Sequence, residues 1–212
     1  MNIYRYYSLS KFKKYYKKTY LRKRLHLTDW RVLNDKMEGH FHYYFSNEYE
    51  SEETVFAKNS YKIASFSKTC LNQMMWAHYG DDGKGLCLNF SFDETEYLNF
   101  KMKEISYEDT FPFQNTDTAP ENRALAILST KLKCWEREEE IRLFSSEQEE
   151  YIDFPFLKEI ILGPQFCINC NQQFLSEITL QFLPMNVKIK QVIQTSNAPY
   201  LAKNEEALRD FY

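Results

Sequence analysis

The chain has 212 residues, 43% of them hydrophobic and 27% charged, with a net charge of −3. That is enough length for one sizeable core and too much apolar content for a disordered chain. Sixteen Tyr, 17 Phe and 3 Trp against only 5 Gly and 6 Pro exclude a low-complexity polymer.

Charge is spread unevenly. Residues 1–24 hold nine basic side chains and no acidic one, so an overall −3 leaves the remainder at −12. A basic arm on an acidic body is the expectation. "MNIYRYYSLSKFKK" lacks an apolar signal core, and no run approaches a membrane span, so no membrane partner is expected. Five cysteines, an odd count, with Cys70, Cys87 and Cys134 in apolar surroundings, fit a reduced, cytoplasmic protein.

In chain order, "NIYRYYSL" reads as a first strand. "SKFKKYYKKTYLRKR" begins as a helix with Ser10 as N-cap and Phe12, Tyr15, Tyr16 and Tyr20 on one face. "RLHLT" and "YKIASFS" read as strands. "TCLNQMMWAHYG" has helical spacing at Leu71, Met74, Met75 and His78 and stops at Gly80. "DDGKG" is a turn, and the alternating "LCLNFSF" is a strand. "PENRALAILSTKLKCW" opens with proline at N1 and carries a stripe of Leu125, Leu128, Leu132 and Trp135, which predicts a helix to Trp135. "EIRLF", "LKEIILG" and "NVKIKQVI" are strand candidates, with "CNQQFLSEITLQFLP" a helix between the last two. Without regular βα alternation, the fold class is α+β: one domain over 1–212 with a mixed, largely antiparallel sheet flanked by helices and a basic, Tyr-rich helical insertion at 11–24.

The insertion interleaves cations with tyrosines, the pattern of an arm whose charges meet phosphates and whose rings stack on bases. Lys13, Lys14, Lys17, Lys18 and Arg22 are its candidate nucleic-acid contacts; the alternative is a solvated helix whose tyrosines face the body. His40 and His42 share one side of the chain but lack a matching carboxylate pattern, and "CINC" is a lone C-x-x-C, so no metal is expected. No glycine-rich dinucleotide or phosphate loop and no G-x-S-x-G is present. "WAHYGDDGKG" clusters Trp76, His78 and Tyr79 at a helix end, as core packing or as a pocket wall. In "KCWEREEEIRLF" an extended backbone would put Glu138, Glu140 and Arg142 on one face, where mutual repulsion raises at least one carboxyl pKa. A continued helix would make Glu138 and Arg142 an ordinary i, i+4 pair.

Together, "YRYYSL", "LHLTDWRVLNDKME", "SFSKTCLNQMMWAHYGDDGKGLCLNF", "KLKCWEREEEIRLF" and "LKEIILGP" resemble a bacterial family known only as a domain of unknown function. Its marks are N-D-P-x-E, W-x-H-Y followed by glycine, and W-x-x-E-x-E-x-R. Asn34, Asp35 and Glu38 match the first, with Lys36 in place of its proline. A looser resemblance is to arginine–serine–glutamate ADP-ribosyltransferases, through Arg5, Ser65-Phe66-Ser67 and Glu138-Glu139-Glu140. It implies an ADP-ribosyltransferase-like fold that consumes NAD. Arg5 would bind an NAD phosphate, Ser65 or Ser67 would brace the nicotinamide ribose, and Tyr79 would line the cofactor site. Glu140 would stabilise the oxocarbenium-like transition state and Glu138 would activate the acceptor.

The resulting expectation is an NAD-dependent ADP-ribosyltransferase-like toxin or phage-defence effector acting on nucleic acid, RNA favoured over DNA, with an antitoxin protein as partner. Two alternatives stay open: a nuclease or nucleoside hydrolase using His78 with the glutamates, and a non-enzymatic nucleic-acid-binding or interaction module.

Overall fold

A computed structural model of the chain describes residues 1–35, 37–42, 48–93, 95–96, 100–112, 118–146, 150–194 and 199–201. Lys36, singled out in the sequence, lies outside them. The elements in order are β1 (Asn2–Tyr7), α1 (Leu9–Tyr15), β2 (Arg24–His26), β3 (Thr28–Asp29), α2 (Glu48–Asn59), β4 (Lys62–Ser67), α3 (Gln73–Tyr79), β5 (Leu86–Ser91), β6 (Lys101–Glu104), β7 (Ser106–Glu108), α4 (Pro120–Leu128), β8 (Thr130–Leu132), β9 (Glu140–Ser145), β10 (Tyr151–Asp153), β11 (Leu157–Leu162), α5 (Gln172–Phe182), β12 (Lys188–Gln194) and β13 (Pro199–Leu201). The fold is α+β, with a mixed, largely antiparallel sheet flanked by helices, as the irregular order of elements implied.

Contacts gather the chain into two compact units. The first is Met1–Leu25, Phe66–Glu94 and Asp153–Tyr212; the second is His26–Ser65 and Thr95–Ile152. In the first unit the strand order is β13-β12-β11-β5-β1. β1 pairs antiparallel with β5 along its whole length, from Asn2↔Ser91 to Tyr7↔Leu86. β11 and β12 run parallel, joined through α5, because parallel neighbours need a long crossover. All but the last residue of β5 are buried, which marks a strand covered on both faces.

One face of that sheet packs Tyr6, Cys87, Ile161 and Val192 against Trp76 of α3. The Trp76 indole N–H donates to the Cys70 carbonyl at 2.8 Å. Trp76 is therefore core, whereas Met74 and His78, read as its apolar stripe, are exposed. Asn72 accepts from the backbone N–H groups of Met74 and Met75 and starts the helix at Gln73, and Trp76, edge-on to Tyr6, is the residue that turns inward.

After α3 the chain turns through Asp81, Asp82 and Gly83, all with positive φ (56°, 52° and 80°). Gly85 closes the turn by donating its N–H to the Gly80 carbonyl at 2.8 Å. It has no room for a side chain, since a Cβ would drive into the carbonyl oxygens of Tyr7 and Gly80.

In the second unit β4 pairs antiparallel with β3 and lies next to β9, which pairs antiparallel with β6. β7 and β8 form a short parallel pair. Ala57, Tyr61, Ile63, Ala124, Leu125, Leu128 and Phe144 make its core. The helix expected to reach Trp135 ends at Leu128. Ser129 turns its hydroxyl back to the Leu125 carbonyl at 2.6 Å, and the chain leaves as β8 and then a 3₁₀ turn over Lys133–Glu138.

Candidate functional site

Residues 133–145 hold the densest chemistry of the second unit. The 3₁₀ turn ends at Glu139, whose φ of 46° places it in the left-handed region, and β9 begins at Glu140. Glu138 is thus not on the strand, and the alternation expected over 138–144 starts two residues late. Glu138 and Glu140 still meet, because both reach Lys131: its ammonium lies 2.7 Å from Glu138 Oε2 and 2.7 Å from Glu140 Oε2. Glu139 is exposed.

Arg142, with 1% of its side chain exposed, is the hub. Its Nε donates to Glu140 Oε1 at 2.6 Å and its Nη2 to Oε2 at 3.1 Å. The same guanidinium forks onto Glu38 at 2.5 and 2.8 Å and caps the Leu128 carbonyl at 2.6 Å. Such bidentate pairing is specific to arginine's planar set of donors. Glu38 was noticed in the sequence only as part of N-D-x-x-E, and Arg142 only beside Glu138 and Glu140 at the end of W-x-x-E-x-E-x-R. The two marks are two halves of one ion cluster.

Lys58 lies at the edge of the cluster, donating to the Gly39 carbonyl at 2.6 Å with its ammonium 4.1 Å from the Trp30 ring. Burial lowers its pKa to about 8, against the pull of Glu38. The cluster is charge-balanced: Glu38, Glu138 and Glu140 against Lys58, Lys131 and Arg142. Nothing in the sequence signalled Lys58 or Lys131, because a lone lysine carries no spacing pattern.

The electrostatics reverse one expectation. Repulsion between the paired glutamates was expected to raise a carboxyl pKa. Burial does push Glu140 upward, but Arg142 and then Lys131 outweigh it and hold the group at about 2. Tyr107, whose hydroxyl accepts the Glu140 backbone N–H at 2.9 Å, is pushed by burial to about 12. This arrangement can hold a carboxylate ionised in a dry setting. Both Glu140 oxygens are occupied, by Arg142 and by Lys131.

The first unit carries the basic face. α1 is capped by Ser8, two residues before the expected Ser10, because the Ser8 side chain accepts the Lys11 N–H at 3.3 Å. The helix then inserts Phe12 and, after it, Tyr16 and Tyr20 into an aromatic core with Phe174, Phe182 and Phe90. Two of the three tyrosines expected to meet bases are therefore buried, and only Tyr15 reaches the surface, at 36% exposure with the Lys14 ammonium 5.1 Å from its ring. Lys11, Lys13, Lys14, Lys17, Lys18, Arg22, Lys23 and Arg24 are all exposed. Acid neutralises little of this charge: Lys17 meets Glu177 at 2.7 Å and Arg24 approaches Asp153 at 3.8 Å. The Lys17 contact, followed by the Tyr16 hydroxyl, holds the Glu177 carboxyl below its ordinary pKa.

The remaining candidates are divided between the two units. Arg5 packs its guanidinium 5.6 Å from the Tyr7 ring and 5.8 Å from the Phe66 ring. Ser67 is fully buried beside Tyr4 at the end of β4, whereas Ser65 is half-buried and belongs to the other unit. The two serines do not share an environment. His78 is exposed and touches Tyr79 edge-on. Arg5, Ser67, His78 and Tyr79 belong to the first unit; Ser65, Glu138 and Glu140 belong to the second.

The cysteines correct the expectation of a fully reduced chain. Cys167 and Cys170 are joined in a disulfide, Cys70 and Cys87 are free and buried, and Cys134 is free and exposed. Among the described residues no group of three or more His, Cys, Asp or Glu side chains could hold a metal ion, and no helix is long and apolar enough to cross a membrane.

Fold and sites define an α+β protein with a buried ion cluster in one unit and a cationic face on the other. Residues 75–143 match a family model described as "Protein of unknown function (DUF2971)". The matched segment contains Trp76–Tyr79 and Trp135–Arg142, two of the marks on which the resemblance to such a family rested. No curated protein and no solved structure matches the chain.

Proposed function

We propose that the protein is a cytoplasmic nucleic-acid-binding module that takes single-stranded RNA on the basic face of residues 11–24. The observation that carries this reading is the division of labour along that segment. Phe12, Tyr16 and Tyr20 anchor it, which leaves eight cations and the Tyr15 ring exposed along the same segment. Cations in a row track a phosphate backbone, and one exposed ring gives a base its stacking surface, which a single strand offers and a duplex hides.

The test is fluorescence anisotropy with a labelled oligouridine and a matched DNA duplex over a range of salt. The variant Lys13→Glu/Lys14→Glu/Lys17→Glu/Lys18→Glu should lose binding, and the salt slope should fall by about 3 if all four touch phosphate on a single strand. Undiminished binding by a folded quadruple variant would overturn the proposal.

ADP-ribosyl transfer from NAD is the second reading. It is favoured by the ionised Glu140, since a fixed carboxylate is what a developing oxocarbenium needs. It ranks second because Arg142 and Lys131 already occupy that carboxylate. In this reading the basic face would present the nucleic acid to be modified, and an antitoxin would restrain the activity. NAD consumption by the wild type that vanishes in a folded Glu140→Gln variant would promote it over simple binding.

A further inference from the structure

The cystine of the first unit sits where the basic face can feel it. Cys167 and Cys170 are both exposed, just before α5. Cys170 lines a groove of about 370 Å³ together with Lys13, Lys17, Asn171, Phe174 and Glu177. A short relay joins the two features: Lys13 Nζ donates to Asn171 Oδ1 at 3.2 Å, and Asn171 Nδ2 donates to the Cys167 carbonyl at 2.9 Å. The Lys13 ammonium also lies 4.6 Å from the Phe174 ring, so it is drawn toward α5.

We propose that Cys167 and Cys170 form a reversible thiol–disulfide couple, a modification site for dithiol reductants, and that its state sets how firmly the basic face grips RNA. This rests on the RNA-binding reading above. Three observations support it. The loop closed by the disulfide is only four residues long, the kind whose cross-linking contributes least to folding, so a purely structural role is weak. Burial raises the Cys70 thiol to about 11 and the Cys87 thiol well above its ordinary value, which leaves both unreactive. A disulfide at the surface of a cytoplasmic protein is typically a transient, redox-sensing one.

The chemistry has a direction. The backbone N–H of Cys170 points at Cys167 Sγ, 3.2 Å away, and can receive a leaving thiolate there. A reductant thiolate attacks Cys170 Sγ, the Cys167–Cys170 bond breaks, and Cys167 departs as the thiolate. The reductant's second thiolate then attacks its own sulfur in the mixed disulfide, releasing Cys170. Two electrons pass from the dithiol to the pair, the reductant leaves as a disulfide, and the reductant's two protons balance the two new thiols. Opening the ring frees the Cys167–Asn171 turn, and with it Lys13, for one more phosphate.

The experiment uses the full chain carrying Cys134→Ser, so that alkylation counts only this pair. Oxidised protein and protein treated with dithiothreitol in native buffer are compared by thiol alkylation and by oligouridine anisotropy. The expected result is two alkylated thiols and, at about 0.1 M salt, a roughly fivefold gain in affinity, with the salt slope steeper by about 0.7 as one added contact requires. Lys13→Ala should abolish the difference, and Cys167→Ser/Cys170→Ser should bind at the reduced level whatever the redox state. Equal RNA binding in both states, or a bond that dithiothreitol cannot open in the folded protein, would overturn the inference and leave the RNA reading standing. No RNA binding in either state would overturn both.

Discussion

Arg142 holds two carboxylates in one guanidinium: Glu38, 104 residues earlier, and Glu140, two residues earlier. A local pair on one strand thereby becomes a clamp on a distant loop, and the loop is fixed by charge as well as by apolar packing.

Removing the hub should be costly. Arg142→Ala leaves Glu38 and Glu140 buried without their shared partner, for an expected loss of about 3–5 kcal/mol in urea unfolding. Arg142→Lys should recover less than half, because one ammonium cannot reproduce two bidentate contacts. Exposed Glu139→Ala should stay within about 0.5 kcal/mol. A loss below about 1 kcal/mol for Arg142→Ala would mean that water takes over the cluster.

The cluster also sets a pH dependence. Glu140 is depressed from 4.5 to about 2 on folding. Its contribution is fully present above pH 4.5 and is lost as pH falls toward 2, an expected decline of about 3 kcal/mol over that window. Lys58 gives a slope of the same sign at alkaline pH, but from a penalty on its charged form. Its folded pKa of about 8 lies below the unfolded 10.5, so folding is penalised at neutral pH and stability rises as pH climbs from 8 to 10.5. Urea midpoints against pH should show both slopes. Glu140→Gln should flatten the acid one and Lys58→Met the alkaline one.

Adjacent tyrosines should part ways. Tyr16 stacks on Phe12 and donates to Glu177 at 2.6 Å, so Tyr16→Ala should cost about 3–5 kcal/mol of stability. Tyr15→Ala should leave the melting curve nearly unchanged and weaken oligouridine binding by about 1–3 kcal/mol, the worth of one stacked base. Anisotropy and thermal melts on the two variants check this together.

The glycine turn gives a steric prediction. Gly85→Ala forces a Cβ against two backbone oxygens that cannot move aside, and soluble, folded protein should be lost. Asp82→Gly relieves a left-handed residue and should stabilise by up to about 1 kcal/mol in a thermal melt.

Much of the fold was readable because it is written locally. Strand alternation in "KIASFS" and "LCLNFS" and the turn in "DDGKG" depend on neighbours a few residues away. The misread helix over 120–135 shows the limit: its leucine stripe continued at helical spacing, but the Ser129 hydroxyl and the pairing of β8 with β7 ended it, and only the second is invisible locally. The ion cluster was half legible. Glu138, Glu140 and Arg142 stood in one run, whereas Lys131's role depends on the 3₁₀ turn that brings it back, and Glu38's on a partner more than 100 residues away. The basic face was legible as charge but not in its rings, since nothing in "KKYYKK" says which tyrosine faces inward.

The first unit is assembled from three stretches of chain, with strand β1 in the first of them. β1 finds β5 some 80 residues later, while the β11–β12 layer follows only after another 70 to 100. A ribosome therefore exposes the Tyr-rich first strand long before the rest of its sheet exists. Folding of that unit waits until β12 has been made and is slow for its size, since so many of its pairings are distant. Until then the basic segment beside β1, already outside the exit tunnel, holds that stretch of nascent chain in water.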